Sequence, residues 1–170
     1  GELLEEWKKD SRYESVPLVL SVDGEDIIDD ETFNQKEFLE KVANSPNCPK
    51  SSCPSPERYM QAYDCDADHV YAVTLSAELS GSYNSAVLGR SLYQEEHPDK
   101  KIYVFNSRSA SIGETLIAMK IAECEEAGME FDAIVTTVED YIESQNTFFV
   151  LENLETLRKN GRLSRVKAFV

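Results

Sequence analysis

Basic residues are scarce in this sequence. Lys and Arg number 17 against 32 Asp and Glu, which leaves a formal charge of −15 over 170 residues. An acidic surface of this kind repels phosphate backbones and anionic lipid headgroups, which argues against nucleic-acid binding and against a polybasic membrane anchor. No apolar run approaches the eighteen residues that a membrane span needs, and no charged-then-apolar leader opens the text. The four cysteines, Cys48, Cys53, Cys65 and Cys124, form no C-x-x-C pair, and the two histidines, His69 and His97, fall at no ligand spacing. Neither a metal nor any other cofactor is therefore expected, and the thiols read as reduced, partly buried groups of a cytoplasmic protein. A G-x-S-x-G elbow, a Walker loop and a G-x-G-x-x-G turn are all missing, which removes the usual signatures of a serine hydrolase and of nucleotide binding.

What is present is a core and a recurring order of elements. Hydrophobic residues make up 41% of the chain, enough to bury. Residues 2–9 read as a short helix. VPLVLSVDGEDII (16–28) reads as a hairpin turned at Asp23-Gly24. A helix is expected after Asn34, capped by that side chain, with Phe38, Leu39 and Val42 on its buried face. Residues 44–56 hold four prolines and read as a loop, followed by a helix with Ser55 as cap and Pro56 in its first turn. HVYAVTL (69–75) and KIYVF (101–105) read as strands covered on both faces. Helices are expected at 81–96, 112–127 and 131–143, a third strand at 147–151, and a last helix at 151–161. This alternation predicts an α/β fold, a mostly parallel sheet with helices on both faces. Ligands of such sheets bind beyond the carboxyl ends of the strands, which places residues 76–82 and 106–111 on one edge.

The stretch TLSAELSGSYNSA (74–86) carries four serines and a single charge, Glu78. Ser80 can cap the helix that begins at Gly81. Gly81 admits a ligand close to the backbone, and Ser82 adds a second hydroxyl. Donors without charge at a helix N-terminus suit one carboxylate or phosphate, although capping alone also explains them. Ser51, in the proline-stiffened loop SSCPS, offers another hydroxyl; a rigid turn is the plainer reading. Arg162 follows Gly161 at a helix end and can pair bidentately with an anion, or simply neutralise a nearby carboxylate. Ser80 as a nucleophile is the rival reading, a serine-dependent hydrolase or acyltransferase, and neither histidine is visibly placed as its base. An interaction domain without a ligand is a third.

Three ordered blocks resemble the DegV family of bacterial fatty-acid-binding proteins. SSCPSPERY resembles that family's Thr-Ser-Gln-Pro-Ser pattern, LSAELSGSYNSA its Ser-Ser-x-Leu-Ser-Gly-Thr-Tyr-Gln-Ser-Ala block, and LETLRKNGRLS its Leu-x-x-Leu-x-x-Gly-Gly-Arg-Ile-Ser block. VPLVLSVDGEDIIDDETF and FNSRSASIGE resemble further family segments. The resemblance implies a two-domain α/β protein that encloses one long-chain fatty acid such as palmitate, with Ser51 and Ser80 on the carboxylate and Arg162 near the acyl head. It implies no catalysis in the chain itself, and a separate fatty-acid kinase that phosphorylates the bound acid. Cys53 stands where the family has Gln, Ser82 where it has Thr, Asn84 where it has Gln, and Asn106 where it usually has Asp. On this reading residues 1–160 form a DegV-like N-terminal domain and 161–170 begin a second. The family's opening strand has no counterpart here. The chain is then expected to supply the carboxylate cradle and only part of the tail tunnel, and to bind fatty acid weakly by itself.

Overall fold

HVYAVT and KIYVFN pair side by side in parallel, from His69 opposite Lys101 to Thr74 opposite Asn106. They are β4 (His69–Thr74) and β5 (Lys101–Asn106) of a computed structural model, which describes residues 7–148 and 150. Before them come β1 (Val19–Val22), β2 (Glu25–Ile28), α1 (Gln35–Asn44), β3 (Lys50–Ser52) and α2 (Pro56–Tyr63). The connection between β4 and β5 is α3 (Ser82–Glu96), and α4 (Ile112–Glu126) and α5 (Phe131–Ser144) follow. Parallel neighbours need such a crossover, because their ends lie a strand length apart.

The chain divides into two compact units. The larger contains residues 55–148. Side chains alternate across its sheet. Phe105 on one face joins Ile117, Ile121 and Cys124 of α4 and Ile134, Val138 and Ile142 of α5, with Tyr71, Val73 and Tyr103 at the margin. Ile102 and Val104, also buried, point to the other face, where α3 lies. Helices thus cover both faces of the parallel pair. Outside α3 lies α2, close enough that a Cβ on Gly89 would stand 2.6 Å from the Pro56 carbonyl. Tyr63 closes this contact by donating its buried hydroxyl to the Ala86 carbonyl at 3.0 Å.

The described part of the smaller unit is residues 15–54 and 150. Its sheet is antiparallel in the order β2-β1-β3. Asp23 and Gly24 both have positive φ, 53° and 84°, as a two-residue hairpin turn of this hand requires. Asp23 Oδ1 accepts from Ser45 Oγ at 2.8 Å and from Asn47 Nδ2 at 2.7 Å, which pins the turn to the end of α1. The cap of α1 is the expected one, with Asn34 accepting from the Glu37 N–H at 3.2 Å.

Several expectations are corrected. No residue of α1 is buried: Phe38 and Val42 are half-buried and Leu39 is 55% exposed, so the described residues do not enclose the apolar stripe. Residues 44–56 are not all loop, because Lys50–Ser52 pairs with β1. The three residues lie between Pro49 and Pro54 and keep their own N–H groups, so the prolines do not forbid a short ladder. β4 has helices on both faces but is half-buried from His69 to Val73 rather than fully enclosed. The first helix is reduced, in its described part, to one 3-10 turn at Trp7–Lys9. No strand forms at Thr147, Phe148 or Val150; Thr147 is held by a side-chain bond to Ser109, and the two apolar side chains are exposed. The helix expected at 151–161 and the domain division at 160/161 lie outside the described residues.

Candidate functional site

β4 and β5 end together, and their carboxyl ends lead into loops rich in hydroxyls. Hydrogen bonds stitch the two loops to each other. Ser107 N–H donates to the Thr74 carbonyl at 3.2 Å, and Ser76 N–H to the Ser109 carbonyl at 2.9 Å. Asn106 Oδ1 accepts from Ala77 N–H at 3.0 Å and from Arg108 N–H at 3.2 Å. The Ser76 carbonyl then takes the N–H groups of Leu79 and Ser80, which turns the chain into α3. Arg108 and Ser111 have φ of 50° and 55°, so the second loop holds two non-glycine residues in the left-handed region.

Gly81, not Ser80, is the N-cap of α3. Glycine has no side chain to cap with, and Ser80 just outside takes over part of that role. Ser80 Oγ accepts from the Ser82 N–H at 3.2 Å and lies 2.9 Å from Ser82 Oγ. Ser82 is buried, whereas Ser80 is half-buried and Gly81 exposed. When the Ser82 hydroxyl donates to Ser80, Ser80 Oγ accepts two protons and its own proton is left to point outward. Donation through such a chain strengthens the terminal donor. Among the described residues no acceptor takes the N–H of Tyr83 or Asn84, which leaves the helix end open to an anion.

A firm support lies under the second loop. Ser109 Oγ is 2.6 Å from Thr147 Oγ1, and Gln145 Nε2 donates to the Gly113 carbonyl at 3.4 Å. A Cβ on Gly113 would overlap Ser109 Oγ at 1.9 Å, so only glycine fits there. Ser111 and Glu114 form a reciprocal cap at the start of α4, with Glu114 Oε2 accepting from Ser111 N–H at 2.9 Å. Burial pushes the Glu114 carboxyl up to about 7, against the pull of that hydrogen bond.

Both histidines are engaged elsewhere. His69 begins β4, and its Nδ1 is 2.7 Å from Glu125 Oε1, which also accepts from Tyr71 OH at 2.7 Å. Burial alone would raise the Glu125 carboxyl, but the bonds from Tyr71 and His69 outweigh it and hold it below the ordinary value. A six-residue strand puts His69 roughly 17 Å from the serine edge. His97 stacks on Tyr93, ring centroids 4.3 Å apart. Side-chain partners of Ser80 Oγ among the described residues are the N–H and hydroxyl of Ser82, so no base is in contact with it.

The structure therefore brings Ser80, Gly81 and Ser82 together at one edge. Ser51 is on β3 of the smaller unit, opposite Leu20 of β1. Arg162 lies outside the described residues. Asn106, which joins the two loops, was not among the candidates chosen from sequence; its signal was a polar side chain at the last position of a buried strand. No group of three or more His, Cys, Asp or Glu side chains able to hold a metal occurs among the described residues. No helix among them is long and apolar enough to cross a membrane.

The model of the DegV family, described as an uncharacterised protein of that family, matches residues 2–170. A DegV domain-containing protein of Streptococcus gordonii is 38% identical over 157 residues, covering 92% of this chain and 56% of the relative. A DegV-family crystal structure from Ruminococcus gnavus, with vaccenic acid, is 59% identical with a TM-score of 0.95 and covers 100% of this chain and 61% of that one. The Streptococcus pneumoniae fatty acid kinase B3 protein, loaded with linoleic acid, is 36% identical with a TM-score of 0.82, over 88% of this chain and 53% of that one. The chain thus spans little more than half the length of the curated relatives it matches.

Proposed function

The chain belongs to the DegV family, and from that premise we propose that it supplies the headgroup side of a site for one long-chain fatty acid. Ser80 donates its hydroxyl to the carboxylate. Ser82 orients and polarises that hydroxyl from behind, and Gly81 leaves room for the acid to approach the open end of α3. The observation that carries this reading is the Ser80–Ser82 pair, 2.9 Å apart at the carboxyl edge of the parallel sheet. The fatty acids named with the related structures support the ligand class. Ser51 and Arg162 are assigned to the same headgroup on their sequence blocks alone. The protein works in the cytoplasm and is a carrier without its own catalysis. Palmitate is a suitable ligand, and a partner kinase phosphorylates the bound acid.

Calorimetric titration with palmitate tests the reading. The wild-type chain binds weakly, because a long tail gains about 0.8 kcal/mol per methylene only where each is covered. Ser80→Ala reduces affinity about tenfold or more, as expected for a lost hydrogen bond to a charged group. Unchanged affinity in Ser80→Ala overturns the headgroup assignment. Absence of binding by any long-chain acid overturns the lipid-carrier reading. Labelling of Ser80 by a covalent serine probe would instead favour a hydrolase.

A further inference from the structure

Two consecutive N–H groups tie the serine turn to the second loop. Ser76 N–H donates to the Ser109 carbonyl at 2.9 Å, and Ala77 N–H donates to Asn106 Oδ1 at 3.0 Å. The first tie is backbone to backbone and is open to almost any sequence. The second depends on the side chain at position 106. Asn106 is the last residue of β5, opposite Thr74. Side chains alternate along a strand, so it shares the face of Ile102 and Val104, on which α3 lies. That face leads it to the turn before α3. The same Oδ1 also accepts from Arg108 N–H at 3.2 Å. Two donors on one oxygen settle which end of the amide faces them, because a flipped side chain would set NH2 against two N–H groups. Position 106 is thus used as an acceptor. The turn it anchors is closed on itself: the Ser76 carbonyl takes the N–H groups of Leu79 at 2.9 Å and of Ser80 at 3.0 Å.

We propose that Asn106 is a positioning residue for the headgroup site: by accepting from both loops, its Oδ1 fixes the turn from Ser76 to Ser80 in the orientation that presents the Ser80 hydroxyl. The inference rests on the headgroup reading of Ser80 and deepens it. Asn106 acts through Ser80, and a contact of its own with the ligand is not required. What the position needs is an acceptor of this reach, whether neutral or charged. A carboxylate meets that need, since it accepts the same two N–H groups. Alanine does not. It leaves the Ala77 and Arg108 N–H groups to water, and the tie at Ala77 is lost while the one at Ser76 remains.

The test is a mutant cycle in the 170-residue chain: Asn106→Asp, Asn106→Ala, Ser80→Ala and the double variant of the two alanines. Palmitate affinity is read by displacement of a fluorescent fatty-acid probe, with thermal melting of each variant alongside. Asn106→Asp is expected to stay within about threefold of wild type, and Asn106→Ala to lose about fivefold or more. In the Ser80→Ala background, Asn106→Ala should cost less than about twofold, because residues of one network do not act additively. Additive losses would mean that Asn106 does not act through Ser80, and would overturn the inference. So would wild-type affinity in Asn106→Ala, or a loss in Asn106→Asp as large as in Asn106→Ala. If Asn106→Ala fails to fold, the amide protons of Ala77 and Arg108 in Asn106→Asp decide. Both should shift together as the new carboxyl titrates in acid, and unmoved resonances would show that there is no clamp. If Ser80→Ala weakens palmitate and Asn106→Ala does not, the headgroup reading stands and this inference alone falls. If the wild-type chain binds no long-chain acid, both fall together.

Discussion

The two units solve the problem of staying folded in different ways. In residues 55–148, apolar side chains on both faces of a two-stranded parallel sheet are sealed by helices, and Phe105, Ile117, Ile134 and Val138 are fully buried. In residues 15–54, Val22 is the one hydrophobic side chain of the buried core, and no residue of α1 is fully buried. There the order comes from a tight turn, a short ladder and polar ties such as Asp23 to Ser45 and Asn47 and Lys41 to Glu25. Exposed ion pairs of this kind contribute little each. The lesson is one of division of labour. The larger unit is a rigid base on which hydroxyls can be aimed. The smaller one buries less among its described residues, which are expected to open at lower free energy.

The largest effect should come from emptying the core. Phe105→Ala removes a side chain with no exposure and is expected to destabilise by about 3–5 kcal/mol, read from urea unfolding. Leu39→Ala in α1 should change stability by less than about 0.5 kcal/mol. Comparable losses for the two would erase the contrast between the units.

A smaller effect concerns the support under the second loop. Glu114 is raised to about 7 by burial. A carboxyl raised in the folded state is least costly when protonated, so its contribution is fully present below the unfolded value near 4.5 and is lost as pH climbs through about 7. Glu114→Gln keeps an acceptor for Ser111 and removes the ionisation. It should raise stability at pH 8 by about 1–3 kcal/mol and flatten the pH profile between 4.5 and 7. A profile as steep as wild type in that window would show that the group is not the one titrating.

The smallest effect sharpens the comparison most finely. Asn34 caps α1 and Ser55 caps α2, each by accepting a backbone N–H three residues on. Replacing either with Ala should remove about 1 kcal/mol locally. Hydrogen exchange should register Asn34→Ala as faster exchange confined to α1, whereas Ser55→Ala should lower the global unfolding free energy, because α2 is packed on α3 through Gly89 and Tyr63. Global destabilisation by Asn34→Ala would mean that the smaller unit is not independent.

Much of the local structure was legible in the residues. The Asp23-Gly24 turn, the caps at Asn34 and Ser55, the apolar runs of β4 and β5 and the periodicity of α4 and α5 each rest on neighbours within a few positions. Where the reading erred, a distant partner decided. Leu39 has helical spacing like any buried leucine, yet it is exposed. Lys50–Ser52 looks like loop and is a strand only because β1 lies beside it. TFFVL has strand composition and finds no neighbour among its described residues.

The same division holds for the site. Sequence alone determined that Ser80, Gly81 and Ser82 would stand at the start of a helix after a buried strand, because strand, turn and helix are written in consecutive residues. Tertiary structure decided what those hydroxyls do. It turned Ser82 inward onto Ser80, paired His69 with Glu125, and set Asn106 against a turn 29 residues away in the chain. Backbone preferences are short-ranged and can be read in order. The direction in which a side chain donates depends on which acceptors the pairing of β4 with β5 brings within three ångströms.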